Sequence, residues 1–243
     1  RPHPPRGRRR HPRCQPRHRR EPALSTNGAA RHPVADLLVR AWRGPRDDVD
    51  GSWQRVAPWH PRAHAVVAVT GRAMITAPDD ISAADLEALG VDGFGQAHDP
   101  RVMTRLAGPT GWVDVLDAVL LASGTGSPDP RVVPRPDLID HPRVRHAVPI
   151  RSDVRVYGFE GDDESVLTLG VGLGGLAEMS LQVGPNRRGQ GLGTVLAAAA
   201  RGLVPFDEPV VACVSPANVP SLRALLSAGF DPVGSVQVYL PDR

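Results

Sequence analysis

The sequence predicts a mixed α/β fold, with a central sheet flanked by helices. Strand-like and helix-like patterns alternate along the second half of the chain. Apolar residues make up 41% of the 243 residues while aromatics make up only 4%, so a sizeable core is expected from Ala, Val and Leu. No apolar run approaches eighteen residues, which excludes a membrane-spanning helix. Two cysteines, Cys14 and Cys213, exclude a disulfide scaffold or a cysteine-based zinc site.

Within residues 33–43, Val34, Leu37, Leu38, Ala41 and Trp42 recur at helical spacing, and Gly44 closes the pattern. Residues 44–63 are rich in Pro, Asp and Arg and read as loop. Residues 64–70 and 73–76 form a hairpin about Gly71-Arg72. Ser82 and Asp85 have the spacing of a capping box for a helix ended by Gly90. Residues 114–122 fit a strand or a helix equally well. A Gly/Pro-rich boundary follows at 124–136. Beyond it, strands are predicted at 154–159, 166–171 and 176–183. The last of these puts Ala177, Met179, Leu181 and Val183 on one face and Glu178, Ser180 and Gln182 on the other. A helix at 194–203, a strand at 209–214, a helix at 220–228 ended by Gly229, and a strand at 233–240 complete the order. Parallel strands in such an order are joined by right-handed crossovers.

The basic residues are all arginine, and they are unevenly placed. Net charge is +3, but residues 1–20 hold nine arginines and no acid, which leaves −6 on the remainder. The body is acidic and the basicity is a tail. Arginine without lysine, with abundant Ala, Gly and Pro, is the signature of GC-rich coding, as in actinobacteria. Residues 1–24 are expected to be disordered, since so few apolar groups cannot offset the entropy of ordering. No apolar stretch follows the charges, so a secretory signal is not expected of this tail. The chain opens on Arg, so the expectation for this tail is a misplaced start or a fragment end, with a nucleic-acid arm as the alternative. Nucleic acid and membrane are therefore not expected partners. The nine histidines show no metal-ligand spacing and no metal is expected. His141 and His146 read as surface or packing residues, Cys213 as a core residue, and Phe94 as a pocket wall or a turn anchor.

The chemistry-bearing stretch is 183–193. A strand ends, a glycine-rich turn follows, and a helix begins. Helix N-termini offer free N–H groups and partial positive charge to phosphate, and glycines let the backbone come close. A P-loop is excluded because there is no lysine. A dinucleotide-binding fingerprint is excluded because Gly191-Leu192-Gly193 leads into an alanine run late in the chain.

Arg188-Gly189-Gln190-Gly191-Leu192-Gly193 resembles the pyrophosphate loop of the GCN5-related N-acetyltransferases. The stretches 211–214 and 218–230 resemble that family's fifth strand and its helix ending in Gly-Phe, here Gly229-Phe230. The resemblance covers about residues 150–243. It implies a mixed, mostly antiparallel sheet and an acyl-CoA-binding domain over 140–243. Residues 31–130 would be a divergent α/β half, resembling at best a degenerate second acetyltransferase unit. It implies acetyl-CoA as cofactor, held by Leu181, Val183, Arg187, Arg188, Gly189, Gln190, Gly191, Leu192, Gly193, Thr194, Asn218 and Ser221. The implied reaction is direct attack by a primary amine of an unidentified acceptor, with Glu178 the candidate base. The family's tyrosine, seven residues after the Asn, falls on Leu225, which leaves Tyr239 or Tyr157 as candidate acid. That gap keeps a non-catalytic CoA-binding or sensory module as the alternative. A cytoplasmic, homodimeric protein is compatible with this reading.

Overall fold

The computed structural model describes residues 31–44 and 49–242; the expectations for residues 1–24 lie outside them. The elements are α1 (Pro33–Arg43), β1 (Ser52–Val56), β2 (His64–Val69), β3 (Arg72–Thr76), α2 (Ala83–Ala88), α3 (Pro100–Ala107), β4 (Trp112–Val113), β5 (Asp117–Ser123), β6 (Val132–Pro134), α4 (Pro142–Ala147), β7 (Ser152–Phe159), β8 (Val166–Val171), β9 (Ala177–Gln182), α5 (Leu192–Leu203), β10 (Pro209–Val214), α6 (Val219–Ser227) and β11 (Asp231–Leu240).

Among the described residues, eleven strands form one sheet in the order β1-β3-β2-β11-β5-β10-β9-β8-β7-β6, with β4 pairing to β11 outside that path. Two neighbouring pairs, β1/β3 and β9/β10, are parallel, and the remainder are antiparallel. The fold is therefore mixed α/β with a mostly antiparallel sheet. Strands from 31–130 and from 140–243 share it, because β5 lies between β11 and β10.

The centre of the sheet is covered on both faces. Val119 and Leu121 of β5 pack with Leu37 and Leu38 of α1, while Leu120 and Ala122 pack with Leu196 and Ala200 of α5. Burying each of these leucines contributes ~1.5–3 kcal/mol. A strand buried on both faces reads as a continuous apolar run, which is why 114–122 fitted either element. Toward the β1 end, α2 and α3 cover Val66 and Ile75 with Leu86, Val102 and Leu106.

Local signals behave as their chemistry requires. The His32 side chain accepts from Val34 N at the start of α1, and Gly44 ends it. Ser82 and Asp85 form the reciprocal capping box. Phe94 is exposed, and its ring fills the space beside Gly51, where a Cβ would come within 2.2 Å of it. It is thus a turn anchor.

The loop expected at 44–63 contains β1. Among the described residues that edge strand pairs only with β3, and it carries Gln54 and Arg55, so its alternation is weak. The short helices α3 and α4 also escape a periodicity reading. Each begins at a proline behind a side-chain cap, Asp99 and His141 respectively.

Candidate functional site

The site begins where the sheet comes apart. β9 and β10 are parallel, joined by α5, and their register spans Ala177–Met179 against Val210–Ala212. Beyond it Ser180, Leu181 and Gln182 stay paired to β8, while Cys213 and Val214 stay paired to β5. The sheet therefore splits, and the β10-facing main-chain groups of β9 from Ser180 onward have no strand opposite.

The glycine turn stands at the wide end of this split. A single helical turn, Pro185–Arg187, leads to Arg188, and α5 begins at Leu192, two residues before the expected start. Gly189 and Gly191 have φ of +75° and +77°, and a Cβ at either would meet nothing within 4 Å. The turn is therefore open, and its conformation is one that side chains rarely adopt. Gly191 is the N-cap and supplies no side chain. Its carbonyl accepts from Thr194 and Val195, and among the described residues no partner is found for the N–H groups of Leu192 and Gly193. These are the unsatisfied donors at the positive end of the helix dipole. Gly193 sits against α6, where a Cβ would lie 3.4 Å from that of Ala224.

A cleft of about 790 Å³ lies over this turn. Arg188, Gly189, Gly191, Leu192, Gly193 and Thr194 form one wall, and Leu181 and Val183 lie at its floor. Asn218 and Ser221 form the opposite wall, with Asn218 Oδ1 capping α6 by accepting from Ser221 N at 3.3 Å. Arg187 also lines the cleft, but its guanidinium is bound to Asp162 at 2.6 Å and lies 5.4 Å from the Phe159 ring. Burial alone would raise the Asp162 carboxyl; hydrogen bonds from Ser165, Glu164 and Arg187 outweigh it and hold the group below the usual carboxylate range. Gln190 turns away from the cleft and reaches Asn186 O at 3.4 Å.

The cleft continues inward. Arg143, Leu181, Asn218 and Ser221 are shared with a 250 Å³ cavity inside the split. That cavity in turn shares Asp114, Asp117, Arg143 and His146 with a small chamber of about 60 Å³. The polar cluster at this inner end was missed in the sequence. It is assembled by α4, which packs over β7, β8 and β9, and by the segment joining β4 to β5. His146 Nε2 lies 3.5 Å from Asp114 Oδ2, and its ring meets Trp112 edge-on. Asp117 Oδ1 is buried without a hydrogen-bond partner. Burial, then the charges of Asp114 and Glu178, push its carboxyl up to about 6. That places it near neutrality, where a carboxylate can accept and release protons. Burial, then the neighbouring Arg151 charge, lowers the Arg143 guanidinium.

Two of the expected catalytic residues are held in other contacts; Glu178 also lines the inner chamber. Glu178 was the candidate base on a polar strand face; it is 7% exposed and locked in a buried ion pair. Arg151 binds its Oε1 through Nη2 at 2.5 Å and Nε at 2.9 Å, and Leu173 N donates to Oε2 at 2.8 Å. Arg151 also donates to Ser180 and Thr168, so the polar face of β9 is an internal network. Gly172 leaves it room, since a Cβ there would sit 2.1 Å from Glu178 Oε2. Tyr239, the candidate acid, is fully buried beside His64, and its hydroxyl donates to the Thr76 carbonyl. Burial raises its pKa further, and it lines none of the three connected spaces. Tyr157 lies in the core with Leu167 and Leu196.

Cys213 lines the inner cavities, and burial, then the Glu178 charge, raises its thiol well above the usual value. No cluster of three or more metal-binding side chains occurs among the described residues, and no described helix is long and apolar enough to cross a membrane.

No family model and no curated protein matches the chain. Solved structures do align with it. A GCN5-related N-acetyltransferase from Kribbella flavida aligns at 13% identity over 61% of this chain and 65% of that one, with a TM-score of 0.37. A GCN5-related N-acetyltransferase-like protein from Streptococcus suis aligns at 14% identity over 74% and 84%, with a TM-score of 0.40. An acetyltransferase of the GNAT family from Colwellia psychrerythraea aligns at 14% identity over 54% and 57%, with a TM-score of 0.34.

Proposed function

We propose that this chain is an acyl-CoA-dependent N-acyltransferase that acetylates a primary amine. The observation that carries the reading is the unpartnered N-terminus of α5, open to a cleft that runs into the β9/β10 split and ends at Asp117. The turn fits a diphosphate. The amides of Leu192 and Gly193 have no partner among the described residues, the Cβ positions of Gly189 and Gly191 are empty, and the exposed Arg188 adds full charge. The pantetheine arm would lie between β9 and the start of α6, along Leu181, Asn218 and Ser221.

Bound acetyl-CoA would supply the acyl group as a thioester and leave as the free thiol. Main-chain N–H groups of β9 facing the split would stabilise negative charge on the acyl oxygen, since no neighbouring strand consumes them. Asp117 would take the proton from the acceptor's ammonium and present the neutral amine. As the nitrogen bonds the acyl carbon and the C–S bond breaks, the nitrogen's second proton would pass through water to the leaving thiolate, since no tyrosine lines the path among the described residues.

Calorimetry with CoA tests the reading. The parent chain is expected to bind, Arg188→Ala to bind several-fold more weakly, and Gly191→Asp to lose binding while keeping its circular dichroism spectrum. Failure of the parent to bind CoA, or unchanged affinity in folded Gly191→Asp, would overturn it. Thiol release against an amine panel then separates a transferase from a binding module.

A further inference from the structure

Five buried side-chain atoms among the described residues have no hydrogen-bond partner, and three of them, Trp59 Nε1, Arg143 Nε and Asp117 Oδ1, belong to residues lining the same inner chamber. Buried polar atoms left unpaired cost ~1–3 kcal/mol each, so three around one space point to a ligand that pairs them. Two are donors, one on a cation, and the third is an acceptor on an acid. Arg143 and Asp117 form no ion pair with each other. They are nonetheless close enough that each perturbs the other's titration. The complement of this arrangement carries both a cation and an anion on one small molecule.

We infer that the acceptor is a free α-amino acid, its carboxylate held by Arg143 and Trp59 and its ammonium by Asp117. The inference rests on the proposed transferase reading for the fate of the amine, but the recognition itself does not. The planar guanidinium suits a carboxylate through paired N–H donors, and the indole N–H adds a third. The same chamber has apolar walls in Val115, Ile150, Val236 and Val238, which favour an apolar side chain. A peptide N-terminus, a polyamine or a protein lysine offers no carboxylate beside its amine and would leave Arg143 unpaired.

The test is calorimetry with L-leucine, isopentylamine, leucinamide and 4-methylpentanoate, and with the other proteinogenic amino acids, on the free and the CoA-saturated chain. An α-amino acid is expected to bind roughly 10- to 100-fold more tightly than its decarboxylated, amidated or deaminated analogue. Arg143→Gln is expected to remove most of that preference while CoA binding persists, and Trp59→Phe to weaken it several-fold. The inference is overturned if no amino acid binds a CoA-competent chain, if the amine binds as well as the amino acid, or if folded Arg143→Gln and Trp59→Phe both keep parental affinity. Loss of CoA binding in Arg143→Gln would assign that residue to the cofactor and overturn it too. If amino acids bind but CoA does not, the transferase reading fails and the recognition stands.

Discussion

Replacing Glu178 with Gln leaves the shape of the side chain nearly unchanged and removes its charge. Arg151 is 6% exposed and would keep its own charge with only neutral acceptors, the new amide oxygen and the hydroxyls of Ser180 and Thr168. Removing one member of a buried ion pair is destabilising by ~3–5 kcal/mol, because the other charge stays out of water uncompensated. For a chain of this size that lowers the melting temperature by roughly 6–20 °C. Urea titration followed by tryptophan fluorescence and circular dichroism, with coincidence of the two probes checked, gives the difference directly. The paired replacement Arg151→Met with Glu178→Met removes both charges and should lose less than Glu178→Gln alone, even with Leu173 N–H left unpaired. A Glu178→Gln chain within ~1 kcal/mol of the parent, or a double variant worse than the single one, would refute the internal ion pair as the role of Glu178.

Tyr239→Phe leaves the Thr76 carbonyl without its donor in a buried site. It should reduce stability by ~1–3 kcal/mol, with thiol release per folded molecule unchanged; a fall in turnover would return Tyr239 to the chemistry. Asp117→Asn gives a pH signature. The native state raises this carboxyl from 3.8 to about 6, burial acting first, with Asp114 and Glu178 raising it and His146 and Arg143 opposing. The native fold thus favours the protonated acid. That stability is complete below the unfolded value and is lost as pH rises through about 6. The shift corresponds to at most ~3 kcal/mol, which partial exposure screens to ~1–2 kcal/mol. Asp117→Asn should therefore be the more stable chain at pH 7.5, converge with the parent near pH 4, and lack the parent's fall in kcat/KM below about pH 6. Equal unfolding midpoints at both pH values would contradict the assignment.

The glycine turn was legible because its chemistry is local: a strand end, two glycines with positive φ and a helix start occupy one continuous stretch. The hairpin β2/β3, the cap at Ser82 and the helix α1 were legible for the same reason. The burial of Glu178 was not legible, because alternation along β9 reports which face a residue shares, not what covers that face; here α4 and Arg151 cover it. Asp117 and Arg143 carried no signal, since β5 and α4 approach one another only through the folded sheet. Arg143 lies in a helix of six residues, too short for periodicity to show.

The position of β5 has a consequence for synthesis of the chain. When a ribosome has released Val119, Leu120, Leu121 and Ala122, neither β10 nor β11 has yet been made. For that interval a strand with four consecutive fully buried apolar residues has two open edges and no rightful neighbour. Nascent chains are then most exposed to sticking to each other, and products stopped short of β10 should accumulate in the insoluble fraction. The segment from β10 to β11 does more than extend the sheet: it turns a hazard into its centre.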